Sequence, residues 1–329
     1  MMSGSVVRRL LLGLVLAALC CSAVDAQTAP EAGYPSRPIR LIVPYTAGGP
    51  TDVMGRLMAQ VLSNALGQQS YVENRPGAGS TLGGRIAATA EPDGYTLLVA
   101  TAATLAIGPQ LYPDAGLDPK VFVPIAAFAT VPYFMIAGPK TPAGTVAEVI
   151  AYAKTHPGKL TFGVPNGAPP HMLAAWFKNL TATDILIVTY KGGADDLADL
   201  IGGHIDLAIE TSSVVLPRLA DGSVRALATA SPARLPEAPR VPTLIESGVP
   251  DFLALSWTGL VGPPGTPQTV VEKVNAAINA GLDSPDLKSK LKALGAQGRP
   301  GTPTDFANFI AGEVPKWTQM VKLSGLHGE

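Results

Sequence analysis

Residues 39–67 read IRLIVPYTAGGPTDVMGRLMAQVLSNALG. An apolar run rich in β-branched residues ends near Tyr45, the chain turns on Gly48 and Gly49, and an amphipathic pattern begins at once. The run has the length and composition of a strand buried on both faces of a parallel sheet. Behind the turn, Val53, Met54, Leu57, Met58, Val61, Leu62 and Leu66 keep helical spacing. Thr51 or Asp52 is placed to cap that helix and Gly67 to end it. The turn holds no Lys, Arg, Cys, Ser or His, so its chemistry is that of the main chain.

The same order of strand, turn and helix repeats outward from this stretch. QSYVENRPGAGS is a short strand with a glycine-rich turn, residues 81–89 read as a helix, and YTLLVAT as the next strand. A second unit begins near Val131. TPAGTVAEVIAYAKTH is a helix with Thr145 and Glu148 at capping-box spacing. KLTFGVP is a strand, and residues 170–180 form a helix with Pro170 in its first turn. ILIVTY, HIDLAIE and VRALATA read as strands, and ADDLADLIGG as a helix. The tail is helical, with starts at Thr266-Pro267, Ser284-Pro285 and Thr302-Pro303-Thr304-Asp305. Those tail helices need a sheet to cover, and SWTGLVGP (residues 256–263) can carry the chain back to the first one. The pattern predicts two α/β lobes, each an open, mostly parallel sheet flanked by helices. The chain crosses between them near residues 128–135 and 250–258. Lobe 1 is then 27–131 plus 254–329, and lobe 2 is 132–253.

Residues 1–26 read as a cleavable signal peptide. Arg8 and Arg9 precede LLLGLVLAALCC, and Val24-Asp25-Ala26 ends in a small residue. A short N-terminal anchor is the competing reading, and a twin-arginine signal a further one. Export implies the periplasm. Both cysteines, Cys20 and Cys21, lie inside the signal, which leaves the mature chain without disulfides, thiolate zinc sites or a Cys nucleophile. Losing Arg8, Arg9 and Asp25 takes the net charge from −1 to −2. A near-neutral chain with scattered charges carries no footprint for nucleic acid or an anionic membrane.

Ligands of open α/β sheets bind outside the carboxyl ends of the strands. A helix N-terminus there offers unpaired N–H groups and partial positive charge. Tyr45, Ala47, Gly48, Gly49 and Thr51 can thus hold a carboxylate, although a plain strand-to-helix turn has the same sequence signature. RPGAGS (75–80), TAATLA (101–106), NGAPPH (166–171) and YKGG (190–193) also follow predicted strands, two in each lobe. Gly77-Ala78-Gly79 with Gly83 is no dinucleotide fingerprint, because the next strand ends in Ala100-Thr101 rather than an acid. His156, His171, His204 and His327 lack ligand spacing, so no metal site is expected, and no cofactor motif is present. No Gly-x-Ser-x-Gly elbow occurs. His171 can donate to a ligand or simply cap its helix. Lys191 can pair with a ligand carboxylate or pin its own loop. Glu210 ends a strand and should meet a donor, since a buried unpaired carboxylate is costly. Trp257 either floors the hinge or packs in the core.

YPSRPIRLIVPYTAGGPTDVMGRLMA, VENRPGAGSTLGG, DGYTLLVAT, VTYKGGADDLADLIGGHIDL and PTLIESGVPDFLALSWTGLVGPPGTP, in this order, resemble the periplasmic solute receptors of tripartite tricarboxylate transporters, the Bug receptors. The resemblance spans essentially the whole mature chain. It implies a two-lobed periplasmic binding protein of the type II-like Venus flytrap class, without enzymatic activity. The lobes would close on a small organic acid, a mono- or dicarboxylate, held by backbone amides and water. It implies a monomer that serves an integral-membrane permease. By position it assigns Tyr45, Ala47, Gly48, Gly49, Thr51, Ala103 and Thr104 to one lobe, and Asn166, Gly167, Ala168, His171, Tyr190 and Glu210 to the other. The chain departs from the family at Leu105, where histidine is usual, and at Gly108, where asparagine is. Ala168 replaces a common serine and Glu210 an aspartate. These changes favour an aromatic or aliphatic acid over a hydroxylated one. Other roles compatible with the scaffold are a sensor, and an exported enzyme using Glu210 or His171 as general base.

Overall fold

The computed structural model describes residues 33–190 and 193–326. The expected signal peptide, Lys191 and His327 lie outside the described residues. β1 (Ile39–Val43) is buried except at Arg40, as its apolar run requires. It lies between two parallel neighbours, β2 (Ser70–Asn74) and β3 (Thr96–Ala100). α1 (Pro50–Leu66) crosses from β1 to β2 and buries Met54, Met58, Val61 and Leu62 along one face. Gly67 ends it at φ 70°, donating its amide to the Ser63 carbonyl. The start differs from expectation. Gly49 is the N-cap and Pro50 the first helical residue, so the helix begins upstream of Thr51. α2 (Thr81–Ala88) joins β2 to β3, and a π-type turn (Ala103–Ile107) runs into the short α3 (Gly108–Leu111).

The next strand holds the architecture together. β4 (Val123–Ala137) has 15 residues. From Val123 to Pro132 it pairs antiparallel with β9 (Leu255–Gly262). From Tyr133 to Ala137 it pairs with β7 (Leu207–Thr211), and over much the same stretch with β8 (Arg225–Thr229). β5 (Thr161–Pro165) is parallel to both β6 (Leu186–Tyr190) and β7. The strand order is β2-β1-β3-β9-β4-β7-β5-β6, with β8 and β10 (Gln297–Gly298) also on β4. One parallel set thus lies at each end of the order, and β4, antiparallel to all its neighbours, links the two halves.

Helices α4 (Val146–Thr155), α5 (Pro169–Thr181), α6 (Gly193–Gly202) and α7 (Ser212–Ala220) accompany the second set. α8 (Gln268–Asp283), α9 (Pro285–Ala293) and α10 (Pro303–Ser324) form the tail, with Ser284 capping α9 and a full capping box between Thr302 and Asp305 on α10. One apolar core runs through both ends of the order, from Ile42 and Leu98 to Phe162 and Leu173. Trp257 belongs to that core, 2% exposed and edge-on to Phe306 and Phe309. Packing is therefore the role the fold gives it.

Candidate ligand-binding site

The β1–α1 turn is held by a buried acid. Asp52 is 2% exposed. It accepts hydrogen bonds from the Gly48 amide, Arg56 Nε and Asn74 Nδ2, each at 2.9 Å. Burial pulls its pKa up, but the bonds from Arg56, Gly48 and Asn74 outweigh that and hold it below the ordinary aspartate value. Asn74 also donates to the Tyr45 carbonyl at 3.0 Å, so one amide ties both ends of the turn. Gly48 takes φ +85°, a conformation that favours glycine. Ala47 and Gly48 are exposed. The first α1 bond runs from the Val53 amide to the Gly49 carbonyl, so the Thr51 and Asp52 amides lie outside the helical ladder.

Tyr45 turns toward the next loop. Its hydroxyl meets Thr101 Oγ1 at 2.9 Å, and Thr101 Oγ1 meets Thr104 Oγ1 at 3.2 Å. Burial raises the Tyr45 pKa, while the bond to Thr101 works against that. Thr104 is fully buried and Ala103 half-buried. The 75–80 loop carries backbone strain beside this group. Gly77, Ala78, Gly79 and Ser80 have φ of 137°, 44°, 58° and 78°, values that alanine and serine hold only when their surroundings impose them.

The second set of loops is also tied internally. The Asn166 amide donates to the Tyr190 carbonyl at 2.9 Å. Gly167 has φ 67°, and Ala168 is the N-cap of α5. His171 is 4% exposed, its Nδ1 has no partner among the described residues, and burial lowers its pKa toward the neutral ring. The Tyr190 hydroxyl points into its own unit and donates to Asp199 Oδ2 at 2.7 Å. Burial, with that bond, pushes its pKa up to about 12. Glu210 sits opposite Phe134 in the sheet and is 8% exposed. Burial first, then the Asp196 carboxylate, pushes its pKa up to about 8; the Thr211 amide and Arg218 favour the charged form without prevailing. The Thr211 amide is thus a donor of the expected kind, and the raised pKa favours the protonated acid besides. Asp196, fully buried in the first turn of α6, is pushed up to about 6, chiefly by burial.

Between the two sets lies a cavity of 290 Å³. Gly48, Pro50, Thr51, Val53 and Met54 form one wall, where α1 begins. Thr211, Ser213 and Val214 form another, where α7 begins. Val131 on β4 and Ser256 and Thr258 on β9 line it between them, and Leu294 completes the rim. Among the described residues no charged side chain lines it. Neither N-cap, Gly49 or Thr211, has a side-chain capping bond. Thr258 Oγ1 is buried without a partner among the described residues.

Of the residues singled out from sequence, Gly48 and Thr51 line this cavity. Tyr45 and Thr104 are joined through Thr101. Asn166, Gly167, Ala168, His171, Tyr190 and Glu210 are not among its lining residues. Tyr133 lies between the groups. Burial raises its pKa, and both Tyr45 and Glu210 are near enough to add to that. Sequence reasoning missed Tyr133, Thr211, Ser213, Ser256 and Thr258. The signals were present as TSS after a strand and as hydroxyls alternating in LSWTGL.

A mixed α/β sheet built of two parallel sets on shared long strands, with helix N-termini opening on the space between, is the fold of two-lobed periplasmic binding proteins. Residues 54–326 match the tripartite tricarboxylate transporter family receptor model. The protein BugT of Bordetella pertussis is 36% identical over 297 residues, covering 89% of this chain and 90% of that one. The solved structure of R. palustris Rpa4515 with adipate has a TM-score of 0.81 at 33% identity, covering 90% of this chain and all of the other (100%). MatC from Rhodopseudomonas palustris with bound malate has a TM-score of 0.77 at 32% identity, covering 88% and 100%. The chain belongs to the tripartite tricarboxylate transporter receptor family and is a solute-binding protein of it.

Proposed function

We propose that this receptor binds one small organic carboxylate, a mono- or dicarboxylate, between its two lobes and delivers it to an integral-membrane permease. The observation that carries the reading is the pair of helix N-termini, α1 and α7, opening on one cavity that, among the described residues, no charged side chain lines. Aligned peptide dipoles and unpaired amides make each a favourable place for negative charge. The buried Thr258 hydroxyl, without a partner among the described residues, supplies a further donor. At about 30 Å³ per water, 290 Å³ has room for roughly ten non-hydrogen atoms. Val53, Met54, Val131, Val214 and Leu294 in the lining suit an aliphatic or aromatic body. Adipate and malate in relatives support a small acid as the ligand.

In this reading the lobes are 27–131 plus 254–329 and 132–253, the mature protein is a periplasmic monomer released by cleavage after Ala26, and the anion lies against Tyr45, Ala47, Gly48, Gly49 and Thr51. Ala103 and Thr104 back that wall, and Asn166, Gly167, Ala168, His171, Tyr190 and Glu210 shape the opposing lobe. Thermal unfolding with a panel of mono- and dicarboxylates tests it. A true ligand at a hundred times its Kd stabilises the fold by about 2.7 kcal/mol. A flat response across the panel, adipate and malate included, would refute it.

A further inference from the structure

A second and larger recess lies away from this cavity. It is a groove of 750 Å³ between the later part of α7, the segment 237–241 and α9. Leu216 and Leu219 from α7, Val241, and Ala293 from α9 give it an apolar lining. Arg240 and Lys292 stand exposed on separate walls, and neither makes an ion pair among the described residues. Among the described residues Glu237 is the one acid in the lining.

Groove and cavity share their supporting chain. α7 starts at the cavity with Ser213 and Val214 and reaches the groove with Leu216 and Leu219. Beyond α9, Leu294 lines the cavity while Lys292 and Ala293 line the groove. Between the two, buried Ser212 donates its Oγ to the Gly295 carbonyl at 2.9 Å. Gly295 has φ +60°, and a Cβ there would lie 2.7 Å from Ser212 Oγ and from Leu216 Cδ1. α7 and the turn after α9 therefore approach as closely as glycine permits. A ligand that repositions the start of α7 repositions one wall of the groove against the other.

We propose that this groove is the docking surface for the membrane permease, and that it receives a short permease loop presenting an apolar side chain beside carboxylates. The inference rests on the receptor reading above. The apolar lining gives the loop an anchor, and cations on both walls, without ion pairs among the described residues, give it charge complementarity and steering. The walls come from stretches far apart in sequence, α7 with 237–241 and α9, so the groove has its full shape only while α7 is seated on the 292–295 turn.

The test places a photoreactive benzoylphenylalanine at Ala293 in the full chain, in cells of the bacterium that makes it. Controls carry it at Tyr71 on β2 and Leu186 on β6, both exposed on the outermost strands. The expected result is a crosslink from Ala293 to an acidic, apolar-tipped periplasmic loop of an integral-membrane permease, mapped by mass spectrometry. Arg240→Glu with Lys292→Glu should cut its yield at least tenfold while the unfolding midpoint stays unchanged. A permease crosslink from Tyr71 or Leu186 but not Ala293 overturns the groove and leaves the receptor reading standing. No permease crosslink from any of the three positions overturns both. A crosslink from Ala293 to a second copy of this chain, or a yield that survives the double charge reversal, also overturns the proposal.

Discussion

Replacing Asp52 by Ala should be expensive, although among the described residues the acid touches only one cation and that cation is mostly in water. Arg56 is 57% exposed on its side chain, against 3% for Asp52. An ion pair with so wet a partner contributes about 0–1 kcal/mol. The remaining bonds matter more. Asn74 keeps the Tyr45 carbonyl but loses its bond to a buried charge, which costs about 1.5–3 kcal/mol. Gly48 is an exposed residue, so water can replace much of what its amide loses. Asp52→Ala should then cost about 2–4 kcal/mol, and Arg56→Ala about 0–1 kcal/mol. Urea denaturation at pH 7 measures both. Affinity for whichever acid stabilises the native protein should fall about tenfold or more in Asp52→Ala, equivalent to about 1.4 kcal/mol, because the turn loses its tether. The pH dependence has a definite sign. The folded pKa of Asp52 lies below its unfolded value, so its contribution is complete above the ordinary aspartate range near 3.8 and is lost as pH falls through the depressed value. Equal costs for the two substitutions, or an Asp52→Ala cost below about 1 kcal/mol, would refute the reasoning and leave the turn's shape to its glycines.

Glu210 should give the opposite pH trend. Its folded pKa, about 8, is above the unfolded 4.5, so the native state holds the extra proton and stability declines as pH rises between those values, by up to about 1.36 kcal/mol per pH unit. Glu210→Gln should flatten much of that slope in denaturant titrations at pH 5 to 8, the remainder belonging to Asp196 and, with opposite sign, to His171, whose pKa burial lowers; a native protein whose slope is the same with and without Glu210 contradicts the assignment. Thr258→Val keeps the shape and removes a buried hydroxyl without a partner among the described residues. The unliganded protein should gain about 1 kcal/mol, while calorimetric affinity for its acid falls several-fold; a variant that binds as tightly as the native protein would show that the hydroxyl does not face the ligand.

How far the sequence led depended on whether each signal was local. β1, its turn and α1 were legible because a strand, two glycines and a 3.6-residue repeat all lie within residues 39–67. β4 was legible only as a crossing near Val131, since Pro124 and Pro132 inside it read as breakers. The structure places Pro124 at a register irregularity and Pro132 where the β9 pairing hands over to β7 and β8. α7 was missed because β-branched residues and Pro217 argue against a helix. Its Thr211 N-cap and buried Val215 prevail through packing that no short window contains. The cavity divides the same way. Gly48 and Thr51 follow from their own turn, whereas Thr258 and Ser213 reach it through pairings between residues far apart in the chain, Thr130↔Trp257 and Tyr133↔Thr211 among them. The absence of a cation from VPYTAGGPTD then has a structural counterpart. The acid at Asp52 consumes the Gly48 amide and fixes the turn from below. The Thr51 and Asp52 amides at the start of α1 stay outside the helical ladder. A lysine in the turn would compete for Asp52, the group that shapes it, so main-chain recognition of an anion is the chemistry this loop can perform without dismantling itself.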